Sequence, residues 1–163
     1  MKAEEYEQLV GNISQGLTND AGLRNIVRKQ VGRNNLWEGA SGFRHQIDVS
    51  IDNDTDALLI ECKLWTSGVR AIEFLTHLGR LIDIRDNPKN KHRNIRGALV
   101  TSQKWQSGVE VLVRYYSEIC SVFVVNEESE IVKMIHTHFI RPSSTSSTAV
   151  IYSPSIKQSE PDV

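Results

Sequence analysis

The chain has 163 residues, of which 39% are hydrophobic and 24% charged, and a formal net charge of −1. These values fit one globular domain with a single core and a short appendage. No apolar run approaches the ~20 residues needed to span a bilayer, and the polar start MKAEEYEQ is not a signal peptide. A cytoplasmic protein without membrane association is expected.

The distribution of charge says more than its sum. Arg24, Arg28, Lys29, Arg33 and Arg44 stand against Glu38 alone, and Arg85, Lys89, Lys91, Arg93, Arg96 and Lys104 against Asp86 alone. Such asymmetry can line a basic groove for phosphates on a nearly neutral protein. Solvated faces carry charge runs as well. The two cysteines, Cys62 and Cys120, fall in apolar runs and are expected to be buried and reduced.

In chain order, residues 3–16 read as a helix, because Tyr6, Leu9, Val10, Ile13 and Leu17 recur at helical spacing. Residues 18–22 form a loop, and 22–30 fit either a short helix or a first strand. Gly39 and Gly42 bracket a turn. From His45 to Trp65 two alternating apolar runs flank Asp52-Asn53-Asp54-Thr55-Asp56, the pattern of two half-buried strands joined by an Asx-rich turn.

A turn centred on Asp54-Thr55 pairs residues whose numbers sum to 109, which sets Asp48 opposite Glu61 on one face. Lys63, two residues further on, shares that face. Opposed carboxylates repel unless something neutralises them. A divalent cation with oxygen ligands does so with one or two carboxylates and several waters. A lysine beside it can hold a water nucleophile or offset charge developing on a phosphate. A plain surface hairpin, with its acids paired to Lys63 or to solvent, satisfies the spacing equally well.

After Trp65, Thr66-Ser67-Gly68 reads as a turn with a cap, and a helix is expected to Ile84. Its stripe is Ala71, Phe74, Leu75, Leu78, Leu81, Ile82 and Arg85. That helix is expected to cover the sheet behind the site, with His77 exposed. Residues 86–94 form a polar, basic loop stopped by Pro88 and suited to a phosphodiester backbone. Residues 96–102 read as a buried strand, 107–119 as a helix and 120–125 as a strand. Thr101, Ser102 and Gln103 at a strand end could line a substrate groove or cap a helix, and Trp105 is expected to pack. Residues 128–138 suggest a last helix, on which His136 and His138 diverge; without an accompanying cysteine, zinc is not expected. The Ser/Thr-rich stretch 141–163 reads as a flexible tail after a domain spanning 1–140.

Asp48, then twelve residues, then Glu61-Cys62-Lys63 resembles the D…ExK signature of the PD-(D/E)xK nuclease superfamily. Gly39-Ala40-Ser41-Gly42 with His45-Gln46-Ile47-Asp48-Val49 resembles its Mrr-like restriction endonuclease branch, with Ile47 where the motif carries proline. The resemblance covers residues 1–125. It implies an α/β, restriction-endonuclease-like fold with a mixed central sheet flanked by helices, and a strand within 26–34. It further implies a Mg²⁺-dependent endonuclease acting on DNA, with Mn²⁺ as a substitute, in restriction or defence against foreign DNA.

On that reading Asp48 and Glu61 hold the metal, with the Cys62 carbonyl as a further ligand, and Lys63 handles the water or the developing charge. Glu7, on a first helix resembling the family's (Tyr6-Glu7-Gln8-Leu9-Val10), orients a water or a second metal. Arg44, Lys89, Lys91, Arg93 and Gln103 are the residues expected to contact nucleic acid. A homodimer and an activating partner are compatible with this chemistry. A junction or repair nuclease, a silent nucleic-acid-binding domain and an assembly domain stay open as alternatives.

Overall fold

The computed structural model describes residues 28–31, 33–63 and 68–124, together with positions 5, 8, 11 and 12, which are helical. Glu7, Trp65, the expected cap at Thr66 and Ser67, the histidines at 136 and 138 and the tail lie outside the described residues. The elements in order are β1 (Arg28–Val31), β2 (Leu36–Glu38), β3 (Arg44–Gln46), β4 (Val49–Asp52), β5 (Asp56–Lys63), α1 (Ala71–Asp86), a 3₁₀ turn (Pro88–Asn90), β6 (Asn94–Thr101), α2 (Val109–Tyr115) and β7 (Cys120–Val124).

Five strands form one sheet in the order β1-β4-β5-β6-β7, and β2 and β3 form a separate hairpin. The β1–β4 and β4–β5 pairs are antiparallel and the β5–β6 and β6–β7 pairs parallel, so the sheet is mixed. This is the expected α/β class. β5 is central and buried on both faces, as its nearly continuous apolar sequence requires. The connections β5–α1–β6 and β6–α2–β7 advance in one direction across the sheet. Right-handed crossovers therefore put both helices on one face. The core agrees: Leu59, Ile95 and Leu99 of the sheet join Phe74, Leu78, Leu81 and Ile84 of α1 and Val109 and Val113 of α2. Trp105 packs against this cluster, as expected.

Gly97 sets how closely α1 approaches. A Cβ built there would lie 2.0 Å from Leu81 Cδ1, so the leucine occupies the space a side chain would need. At the start of α1 the Glu73 carboxylate accepts the Arg70 amide at 2.6 Å, satisfying a donor at the helix terminus. At its end Asn87 is extended, and its side chain accepts the Lys89 amide at 3.0 Å. The same side chain donates to the carbonyls of Glu38 and Gly39, both at 3.0 Å, tying the β2–β3 hairpin to the helix.

Several expectations are corrected. The run beginning at His45 is two strands, β3 and β4, because Ile47 donates to the Asn35 carbonyl at 3.0 Å and Asp48 turns towards β5. The buried face of α1 is Phe74, His77, Leu78, Leu81 and Ile84, while Leu75 and Ile82 are exposed. Counting only apolar letters rotated the expected stripe away from His77. α2 is shorter than 107–119, since Gly108, at φ 94°, precedes its first residue and Tyr116 ends it. The strand expected within 26–34 is β1, and both cysteines are free and buried.

Candidate active site

The β4–β5 ladder pairs Val49 with Ile60, Ser50 with Leu59, Ile51 with Leu58 and Asp52 with Ala57. Every pair sums to 109, the register expected from the turn. Extended by one step, that register would set Asp48 opposite Glu61, but β4 begins only at Val49. There the regular ladder ends: the Asp48 carboxylate accepts the Cys62 amide at 2.8 Å through Oδ2. That bond holds a half-buried acid against the Glu61–Cys62 peptide. In an extended strand the N–H and C=O of one residue project to the same edge, so the Cys62 carbonyl also faces the Asp48 side.

Glu61 is the most enclosed acid here, its side chain only 7% exposed. Lys63 Nζ lies 2.7 Å from Glu61 Oε1, and Arg80 Nη1 of α1 donates to Oε2 at 3.1 Å. A carboxylate so buried is retained because each oxygen has a cationic partner. The structure thus brings Asp48, Glu61, Cys62 and Lys63 together. It adds Arg80, which the sequence reading missed.

It also adds His77. This ring is fully buried on α1, contrary to the expected exposure, and lies against the Leu59 backbone of β5. Burial lowers its pKa from 6.5 to about 4; Glu61 opposes that shift, and Arg80 and Lys63 reinforce it. His77 is therefore neutral at physiological pH. Helix α1 does not lie behind the site, as expected, but packs on the face that carries Glu61, because Leu59 and Glu61 alternate onto the side where the helix lands. Because β5 is buried on both faces, its sequence carried no signal for the face on which Arg80 and His77 lie.

Two hard oxygen donors from Asp48 and Glu61, with a backbone carbonyl beside them, suit Mg²⁺ or Mn²⁺, which take one or two carboxylates and fill the remaining positions with water or phosphate oxygens. Among the described residues no group of three or more His, Cys, Asp or Glu side chains is gathered to hold a metal ion, so the carboxylates that the site offers are these two.

The residues expected to contact nucleic acid divide between the two ends of the sheet. Gln103 is exposed beside Thr101, which pairs with Lys63, and so stands at the Glu61 end. Its amide donates to the Thr101 hydroxyl at 3.2 Å. Arg44, Lys89 and Arg93 gather at the other end. Arg44 opposes Glu38 in the β2–β3 pair, Lys89 Nζ lies 3.3 Å from Glu38 Oε1, and Arg93 Nη1 lies 3.3 Å from Asp52 Oδ2. Asn94, next to this loop, pairs with Asp56, five residues from Glu61 along β5, or about 16 Å at strand rise. Lys91 is exposed on the same loop. An open groove of about 340 Å³ bounded by Trp37, Asp52, Lys89 and Arg93 lies at this far end. Its charged groups are bonded to one another.

The Gly39–Gly42 turn also has a structural explanation. Asp83 of α1 accepts the Ser41 amide at 2.9 Å and the Ser41 hydroxyl at 2.7 Å, and its Oδ2 lies 2.7 Å from His45 Nε2. The bonds from His45 and Ser41 hold Asp83 down at about 2. A Cβ at Gly39 would fall 1.9 Å from the Asp83 carboxylate, and Gly42 has φ +82°. His45 is thus held in a structural role by Asp83. Because Asp83 sits between serine and histidine, the three do not form a nucleophile–base relay.

No family model and no curated protein matches the chain. Three solved structures are similar in shape. A protein of unknown function, AF1548, superposes with a TM-score of 0.51 at 16% identity, covering 76% of this chain and 64% of its own. Protein VC1899 from Vibrio cholerae has a TM-score of 0.48 at 21% identity, over 83% of this chain and 32% of its own. MspJI restriction endonuclease, solved with a 27-mer oligonucleotide, has a TM-score of 0.44 at 14% identity, over 85% and 32%. The chain therefore spans about two thirds of the first and a third of the others. The likeness to AF1548 concerns the fold.

Proposed function

We propose that the chain is a divalent-metal-dependent nuclease that hydrolyses DNA phosphodiester bonds, with Mg²⁺ as its metal and Mn²⁺ as a substitute. The observation that carries the reading is the juxtaposition of Asp48, Glu61 and Lys63 at one end of the central strand, with Asp48 anchored to the Cys62 amide. Asp48 and Glu61 would hold the cation, with the Cys62 carbonyl as a further ligand. When bound, the cation supplies Lewis acidity and a water of lowered pKa.

Lys63 holds its ammonium against the Glu61 carboxylate, where it can orient a water or offset charge developing on a phosphate oxygen. The enclosure of Glu61 strengthens these interactions by limiting water. Gln103, Lys104 and Arg70 stand at the same end of the sheet and are the nearer candidates for phosphate contact; Arg44, Lys89, Lys91 and Arg93 would serve only a nucleic acid long enough to reach the far end.

The test is cleavage of supercoiled, linear, single-stranded and four-way-junction DNA with Mg²⁺, Mn²⁺ or EDTA. Wild type is compared with Asp48→Ala and Lys63→Ala. Metal-dependent cleavage lost in both variants supports the proposal, and the preferred substrate separates restriction of foreign DNA from junction or repair cleavage. DNA binding without cleavage by the folded wild type assigns a binding module instead. The absence of both binding and cleavage refutes the nucleic-acid reading.

A further inference from the structure

Arg80 occupies one oxygen of the acid that would hold the metal. Its Nη1 donates to Glu61 Oε2 at 3.1 Å, while Lys63 takes Oε1 at 2.7 Å. The two cations are not equivalent. Lys63 lies on the same strand face two residues away, and its contact is shorter. Arg80 reaches across from α1, and its side chain is the more exposed, 34% against 27%. Its contact is the longer and the more exposed of the two.

We infer that Arg80 is the resident counter-cation of Glu61, competing with a divalent metal for the Oε2 oxygen and, once displaced, free to pair with a nucleic-acid phosphate. The inference rests on the proposed metal site and adds how that site is regulated. A guanidinium suits this exchange because its planar fork matches carboxylate and phosphate equally well. A group that competes with one ligand and pairs with another couples the two. The metal should bind weakly to the free protein and more tightly with DNA present, and the effect is reciprocal. Arg80 is in this sense a positioning residue.

The test is calorimetric titration of Mg²⁺ into the full chain for wild type, Arg80→Gln and Arg80→Lys, with the melting temperature recorded for each. Duplex affinity is then measured by fluorescence anisotropy in EDTA and in Ca²⁺. Removing a partly exposed ion pair tightens Mg²⁺ binding by Arg80→Gln about fivefold in the absence of DNA. Arg80→Lys, which keeps the charge, stays close to wild type. In Arg80→Gln the gain in duplex affinity from Ca²⁺ falls by about the same factor, while affinity in EDTA is unchanged. Mg²⁺ affinity that is unchanged or weaker in a folded Arg80→Gln, with wild type binding the ion, overturns this inference and leaves the metal site standing. Failure of wild type to bind any divalent cation, with or without duplex, refutes the metal site itself and the inference with it.

Discussion

Acid should weaken this fold through His77. The ring is fully buried, and burial lowers its pKa from 6.5 to about 4. Between those values the unfolded chain binds a proton at this residue and the folded chain does not, so stability falls as pH is lowered. The contribution is complete above pH 6.5, is lost progressively down to about pH 4, and amounts to about 3 kcal/mol in total. From pH 7.5 to pH 5 the loss is about 2 kcal/mol. Asp83, held down at about 2, is lost only below its ordinary value of 3.8, outside this window. Urea unfolding of wild type and His77→Leu at pH 7.5, 6.5, 5.5 and 5.0 isolates the effect. The leucine variant should be as stable as wild type or more so at pH 7.5, since a fully buried polar ring is replaced by an apolar side chain. It should lose about 2 kcal/mol less on acidification. Parallel pH profiles for the two proteins would refute the reasoning.

Two further predictions concern the supports of the site. Gly97→Ala drives a methyl into Leu81 and should cost about 1–3 kcal/mol in urea unfolding; in a Leu81→Ala background most of that cost should vanish, and strict additivity would contradict the packing described. Asp83→Ala removes the acceptor of the Ser41 amide, so hydrogen exchange at Ser41 should accelerate about tenfold while the amides of α1 keep their protection. Unchanged exchange at Ser41 would show that the turn is held by other contacts.

The hairpin register was legible because side chains alternate with a period of two and the Asx-rich turn fixes which residues oppose. Asp48, Glu61 and Lys63 followed directly from it. β5, buried on both faces, carries apolar residues at nearly every position, so its letters do not say which face the following helix covers. That ambiguity put α1 on the wrong side of the site and hid Arg80. His77 was hidden because histidine reads as polar, whereas here it is buried uncharged. The basic loop at 86–94 looked like part of the site because sequence shows charge without its partners. In three dimensions Lys89 and Arg93 face Glu38 and Asp52. The β2–β3 hairpin escaped notice because its strands have three residues each, too few for a period to show.

The most direct test of the central claim is a Mn²⁺ titration followed by the paramagnetic resonance signal of the free ion. Wild type, Asp48→Asn and Glu61→Gln are compared, each with and without a DNA duplex. Both substitutions keep side-chain shape while removing the charge that binds a cation. The account predicts Mn²⁺ taken up by wild type, more tightly with duplex, and lost in both variants while their folded spectra are retained. Equal uptake by all three proteins, or none by wild type with duplex present, would contradict it.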